Sequence, residues 1–382
     1  MDFSFPPETR EWQDRARDYA DEHLKPRYGA REREGAIEPE VFTEMGRVGF
    51  IAPELPHEFG GRGASRLETG AIIEQLARGD FNVAYTQVVA SLVGQLILRS
   101  GSDRIQREWL PRMTSGTAVV GIGLTEPHGG SDAGAPRLTA RRVAAGWELN
   151  GTKSMSFLRN ADGVVVFAKT DSAARRGHGI SAFFVPLDLT GTTREPVSDL
   201  GTRAVTRGLV HFERCTVPDD HLLGEEGTGF SEVMQGFDFS RALIALQCLA
   251  VAELTVEETW QYTSGREAFG QPLSKNQGVA FPLAEAATKL AAAKLLGYQT
   301  LWLKDQGQPH TTEAAMVKSW APQLAVATIH ECLLLHGQRG YTDALPIGQR
   351  LRDVIGLEIG DGTAQIMKLI IARGTVGRDL AP

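Results

Sequence analysis

The apolar residues of this chain change period twice, and that double switch constrains the fold more than any single motif. Up to about residue 113 they recur at spacings of three and four, in segments 11–24, 39–48, 67–77 and 84–100, as one face of a helix requires. Pro53, Pro56 and the Gly60-Gly61-Arg62-Gly63 turn separate these segments. From Thr117 the pattern becomes short β-rich runs at 118–124, 137–149, 164–169, 182–187 and 210–217, parted by Gly, Asp and Pro turns. Beyond Gly229 helical periods return and are long, at 230–263, 282–304 and 313–336. Several short strands at such spacing suggest a small barrel or sandwich. The expected class is α+β: a helical domain over 1–116, a β domain over 117–226 and a second helical domain over 227–382.

With 382 residues, 42% hydrophobic and 23% charged, the chain can bury a sizeable core, and disorder or a membrane bundle is excluded. Its 40 Lys and Arg against 47 Asp and Glu give a formal charge of -7, wrong for neutralising phosphate backbones. Neither nucleic acid nor membrane is expected as a partner. Cys215, Cys248 and Cys332 are odd in number and far apart, which fits a reducing compartment. Residues 1–17 mix acidic with basic side chains and hold no apolar stretch, so they read as neither a secretory signal nor a transit peptide. The expected location is cytoplasmic.

Several familiar signatures fail. Gly121-Ile122-Gly123 is followed by Thr125-Glu126 where a dinucleotide-binding turn needs another Gly. Gly146 to Lys153 has one residue too many for a phosphate loop. Asn150-Gly151-Thr152 is a formal glycosylation acceptor with nothing to send it to a secretory compartment. The nine His residues show no metal-ligand spacing, so no metal site is expected. What remains is the run from Leu124 to Asp132, Leu-Thr-Glu-Pro-His-Gly-Gly-Ser-Asp, which leaves a strand and enters a glycine-rich turn. Its backbone N–H groups and the hydroxyls of Thr125 and Ser131 suit an anion or a heterocycle, and a purely structural hairpin uses the same residues.

Leu124-Thr125-Glu126-Pro127 with Gly130-Ser131-Asp132, then Leu149-Asn150-Gly151-Thr152-Lys153 and Val166-Phe167-Ala168-Lys169-Thr170, resemble the central β domain of acyl-CoA dehydrogenases. Arg266-Glu267-Ala268-Phe269-Gly270-Gln271-Pro272-Leu273 with Gln277, and Gly362-Thr363-Ala364-Gln365-Ile366 with Leu369-Ile370-Ile371-Ala372-Arg373, extend the resemblance over essentially the whole chain. It implies the fold of that family, closing in a four-helix bundle, with FAD as cofactor. It also implies residue roles: the Leu124 backbone and Thr125 hydroxyl on the flavin ring, Gly130 and Ser131 beside the cofactor phosphates, and Ser131 also near the thioester tail. Arg266, Phe269 and Gln277 would serve a neighbouring subunit's FAD, as would Gly337 and Gln338, while Thr363 and Gln365 would touch the adenosine-diphosphate half. Asp238 and Arg241 fall on the CoA tail. A cofactor site built from two subunits implies a homo-oligomer, a dimer or tetramer, and electron-transfer flavoprotein is the implied acceptor.

Two departures concern the reacting centre. Counting back from Ala168-Lys169 with one residue deleted puts Ser156 where the family places a Thr near flavin N5, and Ser154 where it often has an aromatic residue. Asp361 stands where the family usually carries its Glu base, a carboxylate drawn back by one C–C bond, about 1.5 Å. Some members place the base on the helix beginning near Phe237, but Ser240 holds that position here. Asp361 is therefore the candidate catalytic base, although an Asp capping a turn between Gly360 and Gly362 would read the same. The segments 77–83, 234–241 and 358–361 are similar to cyclohexanecarboxyl-CoA dehydrogenases, which implies an alicyclic acyl thioester. An acyl carrier protein in place of CoA, a nitroalkane-oxidase-like flavoprotein that also uses Asp, and a non-catalytic flavin- or CoA-binding homologue are the alternatives.

Overall fold

The computed structural model describes residues 4–382. The first domain holds helices α1 (Pro7–Tyr19), α2 (Tyr28–Glu34), α3 (Pro39–Arg47), α4 (Arg66–Gly79), α5 (Phe81–Ser100) and α6 (Asp103–Thr114). Ser65 caps α4, its Oγ accepting the Glu68 N–H at 3.1 Å. Asp80 caps α5, accepting the N–H groups of Asn82 and Val83 at 2.9 and 3.1 Å. Each such cap stabilises a helix by about 1 kcal/mol. The Asp80 cap also explains why α5 starts at Phe81, three residues before the periodicity alone indicates.

The middle domain is an eight-stranded sheet built from β1 (Val119–Gly123), β2 (Thr139–Val143), β3 (Gly146–Met155), β4 (Ala161–Lys169), β5 (Ile180–Pro186), β6 (Thr192–Pro196), β7 (Gly208–Val217) and β8 (Leu222–Leu223). The strand order is β6-β7-β3-β2-β4-β5-β8, with β1 joined in parallel to β4. The single run expected at 137–149 is in fact a hairpin, β2 paired antiparallel with β3. It turns before Gly146, whose φ of 119° suits glycine and whose absent Cβ would lie 2.2 Å from the Val217 carbonyl oxygen. The edge strand β6 went unanticipated because Thr-Thr-Arg-Glu-Pro is mostly exposed and carries no alternation of apolar residues.

The last domain comprises α7 (Gly229–Gly265), α8 (Gln277–Asp305), α9 (Thr311–Leu335), α10 (Ile347–Ile359) and α11 (Ala364–Val376). Helix α7 packs on α4 and α5 on one side and on α8 and α9 on the other, so it belongs to the cores of both helical domains. That role explains its composition: from Phe237 to Ala252 every residue is buried, and a helix apolar all round must be enclosed. By length and composition α5 and α7 could each cross a membrane, but both lie mostly inside the protein. Asp238, Ser240 and Arg241 sit in the first half of α7.

Candidate active site

The turn after β1 is held from behind by a buried ion pair. Lys153 Nζ lies 2.7 Å from Glu126 Oε1 and donates to the Leu124 carbonyl at 3.1 Å. Glu126 also accepts the N–H groups of Arg137 and Leu138 at 2.8 and 3.0 Å. Burial opposes its ionisation, but Lys153 and these two N–H groups outweigh it and hold the carboxyl below its ordinary range. With the acidic side chain anchored inward, the other half of the turn faces out. The hydroxyls of Thr125 and Ser131 are exposed and make no hydrogen bond among the described residues, and nothing lies within 4 Å of where a Cβ at Gly129 would be. These features fit the ring and phosphates of a flavin nucleotide: open hydroxyl donors beside a glycine turn that leaves room for a close approach.

Strand β3 continues this wall. The Ser154 N–H donates to the Thr125 carbonyl at 2.8 Å, which fixes the strand against the turn. Lys153, Met155 and Phe157 are buried, whereas Ser154 and Ser156 alternate onto the half-exposed side. The two serines therefore lie on the same half-exposed side. Phe157 follows with a φ of 60°, rare for a bulky residue. Its N–H donates to the Val205 carbonyl at 2.8 Å, and the Leu158 N–H to that of Thr206 at 2.9 Å. The 3₁₀ turn Arg203–Val205 is in turn tied to α10, because Asp353 accepts the Thr202 N–H at 2.5 Å. The same carboxylate takes bonds from the Tyr28 hydroxyl at 2.7 Å and from Asn82 Nδ2 at 3.0 Å.

Opposite this wall, α10 ends at Gly360 and the chain enters a turn whose geometry is set by Asp361, φ 54°, and Gly362, φ 101°. Thr363 then caps α11, its Oγ1 accepting the Ile366 N–H. A left-handed aspartate costs backbone energy that surrounding contacts must offset. Arg241 Nε donates to the Asp361 carbonyl at 3.3 Å. Buried Lys318 donates to the carbonyls of Leu357 at 2.8 Å and Gly362 at 3.1 Å. Ser240 Oγ donates to Asp361 Oδ2 at 2.6 Å. Burial lowers the Lys318 pKa, with the Asp361 charge acting against it. The Tyr85 ring, stacked on Phe157 at 6.0 Å, lies beside both Ser156 and Asp361, and burial together with the Asp361 charge raises its phenol pKa. Among the described residues, the one side-chain bond to the Asp361 carboxylate therefore comes from α7, and its charge is felt by Tyr85 on α5 and by Lys318 on α9.

Behind it, Asp238 and Arg241 are both buried and paired at 2.9 Å, and Thr311 Oγ1 donates to the other oxygen of Asp238 at 2.5 Å. The structure links Asp238, Arg241 and Asp361 to one another and, through Tyr85, to Ser156, while Thr125 lies on the turn held by Ser154. It leaves another group outside. Arg266, Phe269, Gln277, Gly337 and Gln338 are exposed, Phe269 to 97%, in the loop after α7, at the start of α8 and after α9. Gln365 is exposed on α11. Sequence reasoning missed Tyr85, Thr311, Lys318 and the Glu126–Lys153 pair. The available signal was weak, a Tyr and a Lys within otherwise buried stretches of α5 and α9.

Family models for the acyl-CoA dehydrogenase N-terminal, middle and C-terminal domains match residues 6–117, 121–215 and 227–376. The short-chain specific mitochondrial acyl-CoA dehydrogenase of Rattus norvegicus is 37% identical over 373 residues, 96% of this chain and 90% of that one. Among solved structures, one from work on the electron transferring flavoprotein of Acidaminococcus fermentans superposes with a TM-score of 0.95 at 32% identity, covering 98% of this chain and 100% of that one. A glutaryl-CoA dehydrogenase from Mycobacterium smegmatis in complex with FADH2 gives 0.93 at 28%, covering 98% and 96%. The chain belongs to the acyl-CoA dehydrogenase family, FAD-dependent oxidoreductases that act on CH–CH bonds.

Proposed function

We propose that this protein dehydrogenates the α,β bond of a compact acyl-CoA thioester, with Asp361 as the base. The observation that carries the reading is the placement of Asp361 on a braced left-handed turn, bonded by Ser240 and near Tyr85, whose hydroxyl in turn meets Ser156. Bound FAD would supply the acceptor for the β hydrogen, held at Thr125, Ser131 and Ser156. Asp361 takes the α proton. An α C–H is a very weak acid, so N–H donors aimed at the thioester oxygen must stabilise the charge that develops there. The backbone around Asp361, fixed by Arg241 and Lys318, provides a rigid mount for such a donor.

Tyr85, near Asp361 and stacked on Phe157, is proposed to limit the length of acyl chain accepted. A short Asp demands an α carbon pressed close, which a rigid ring carboxylate offers, so an alicyclic acyl group such as cyclohexanecarboxyl is the finer reading. A short linear acyl group is the second reading, favoured by the short-chain relative. The exposed Arg266, Phe269, Gln277 and Gln338 are proposed to meet the cofactor of a second subunit in a dimer or tetramer, and electron-transfer flavoprotein is the proposed acceptor. Anaerobic bleaching of the purified flavoprotein with cyclohexanecarboxyl-, butyryl- and octanoyl-CoA tests the substrate. The highest kcat/KM is expected for cyclohexanecarboxyl-CoA. A preference for butyryl-CoA selects the second reading, a preference for octanoyl-CoA removes both, and no bleaching with any thioester overturns the activity.

A further inference from the structure

Ser240 has no role in the chemistry as described, yet it is fully buried at the point where the base is held. Its single hydroxyl proton has two acceptors within reach, the Phe237 carbonyl at 3.2 Å and Asp361 Oδ2 at 2.6 Å. The second is shorter and charged, in the range of O–H···O⁻ bonds, and takes the proton. An aspartate needs such a restraint, because rotation about its last side-chain bond is broad and shallow. With Oδ2 tethered, the opposite oxygen is the one left to meet a substrate. We propose that Ser240 is a positioning residue that orients the Asp361 carboxylate toward the α carbon and sets its basicity. The proposal rests on Asp361 being the base.

The consequence is a defined pH dependence. A hydrogen bond donated to a carboxylate favours its ionised form, so replacing Ser240 removes one such donor and leaves the other neighbours of Asp361 in place. Those neighbours come from every element packed on the turn. Arg241 and Asp238 lie on α7, Lys318 on α9, Tyr85 on α5 and Glu358 on α10 itself. All are retained when only residue 240 changes. Once Asp361 has taken the α proton, the Ser240 hydroxyl can turn to the Phe237 carbonyl, so the protonated state leaves no buried donor stranded.

The test is the pH profile of anaerobic flavin reduction by the holoenzyme at saturating thioester, in wild type, Ser240→Ala and Ser240→Thr. Affinity for a non-reacting thioether analogue and flavin content are measured alongside. In Ser240→Ala the acid limb should move to higher pH by about one to two units, the size expected for one hydrogen bond to a charged group. Analogue affinity should change less than about twofold, and Ser240→Thr, which keeps the hydroxyl, should restore the limb. An unmoved limb in Ser240→Ala overturns the proposal, as does an equal shift in Ser240→Thr. Asp361→Asn separates this from the underlying reading. If it reduces flavin at the wild-type rate the base itself is misassigned, whereas a dead Asp361→Asn with an unmoved Ser240→Ala limb sinks only the role of Ser240.

Discussion

The groups around Asp361 and those around Arg266 differ in one respect that explains most of what the structure leaves open. Around Asp361 the buried polar side chains are braced within the chain: Ser240 and Arg241 on the base residue, Thr311 and Arg241 on Asp238, Lys318 on two carbonyls. Around Arg266 the side chains assigned to the cofactor are not: Arg266, Phe269, Gln277 and Gln338 are exposed, and Phe281, Leu334 and Tyr341 are exposed as well. Burial of a polar group without a partner is costly, so a self-contained centre must carry its own hydrogen bonds. Large exposed apolar residues instead mark a surface that another molecule covers. The first region is braced within one chain, and the second is the surface proposed to meet another subunit.

The sharpest way to break this contrast is Asp361→Asn. Flavin reduction by thioester should fall on the order of 10²-fold or more, while the protein keeps its FAD and its assembly. A wild-type rate would mean that the inner region is only structural, and Asp238 would be tested next.

Lys153→Met probes the support of the flavin-side wall. It leaves Glu126 buried without its cation and should destabilise the holoprotein by about 3–5 kcal/mol in urea unfolding, with Lys153→Met/Glu126→Gln recovering most of the loss. An unchanged midpoint would show that the turn needs no such brace.

A pH effect on stability should also belong to the inner region. Burial pushes the Asp353 carboxyl up from 3.8 to about 7, and Asp80 up to about 6, despite the bonds from Tyr28 and Thr202 on the first and from Arg31 on the second. Between 3.8 and those values the native protein holds protons that the unfolded chain has released. This stabilisation is complete below 3.8 and is lost as the pH rises through about 6 and 7. Thermal unfolding followed across that window should show a falling Tm, flattened in Asp353→Asn. A Tm that rises instead would mean that both carboxylates are ionised in the native protein.

The smallest effects on the protomer belong to the outer region. Arg266→Ala should weaken FAD retention about 10- to 100-fold, the size of a hydrogen bond to a charged group, without slowing flavin reduction when FAD is saturating. Phe269→Ala should change protomer stability by less than about 0.5 kcal/mol, yet shift sedimentation toward smaller species. A variant that holds FAD and assembles as wild type does would remove the proposed shared site.

By itself the sequence determined the α, β, α order, because hydrophobic period is a local property that needs no knowledge of what packs where. It also marked Asp361, Thr125 and Ser131, since resemblance to a family travels through short contiguous segments. The start of α5 was missed by three residues, because the cap by Asp80 shows only in the structure. The tertiary structure decided what lies between distant segments. Ser240 meets Asp361 across 121 positions, Lys318 reaches Gly362 across 44, and Glu126 finds Lys153 across 27. None of these pairs has a local signature, because a buried serine or lysine is selected by the one partner that satisfies it, and only the packing of α7, α9 and the β domain brings that partner within 3 Å or so. Ser154 on β3 and Ser156 just beyond it are both half-exposed, which the residue count alone did not indicate.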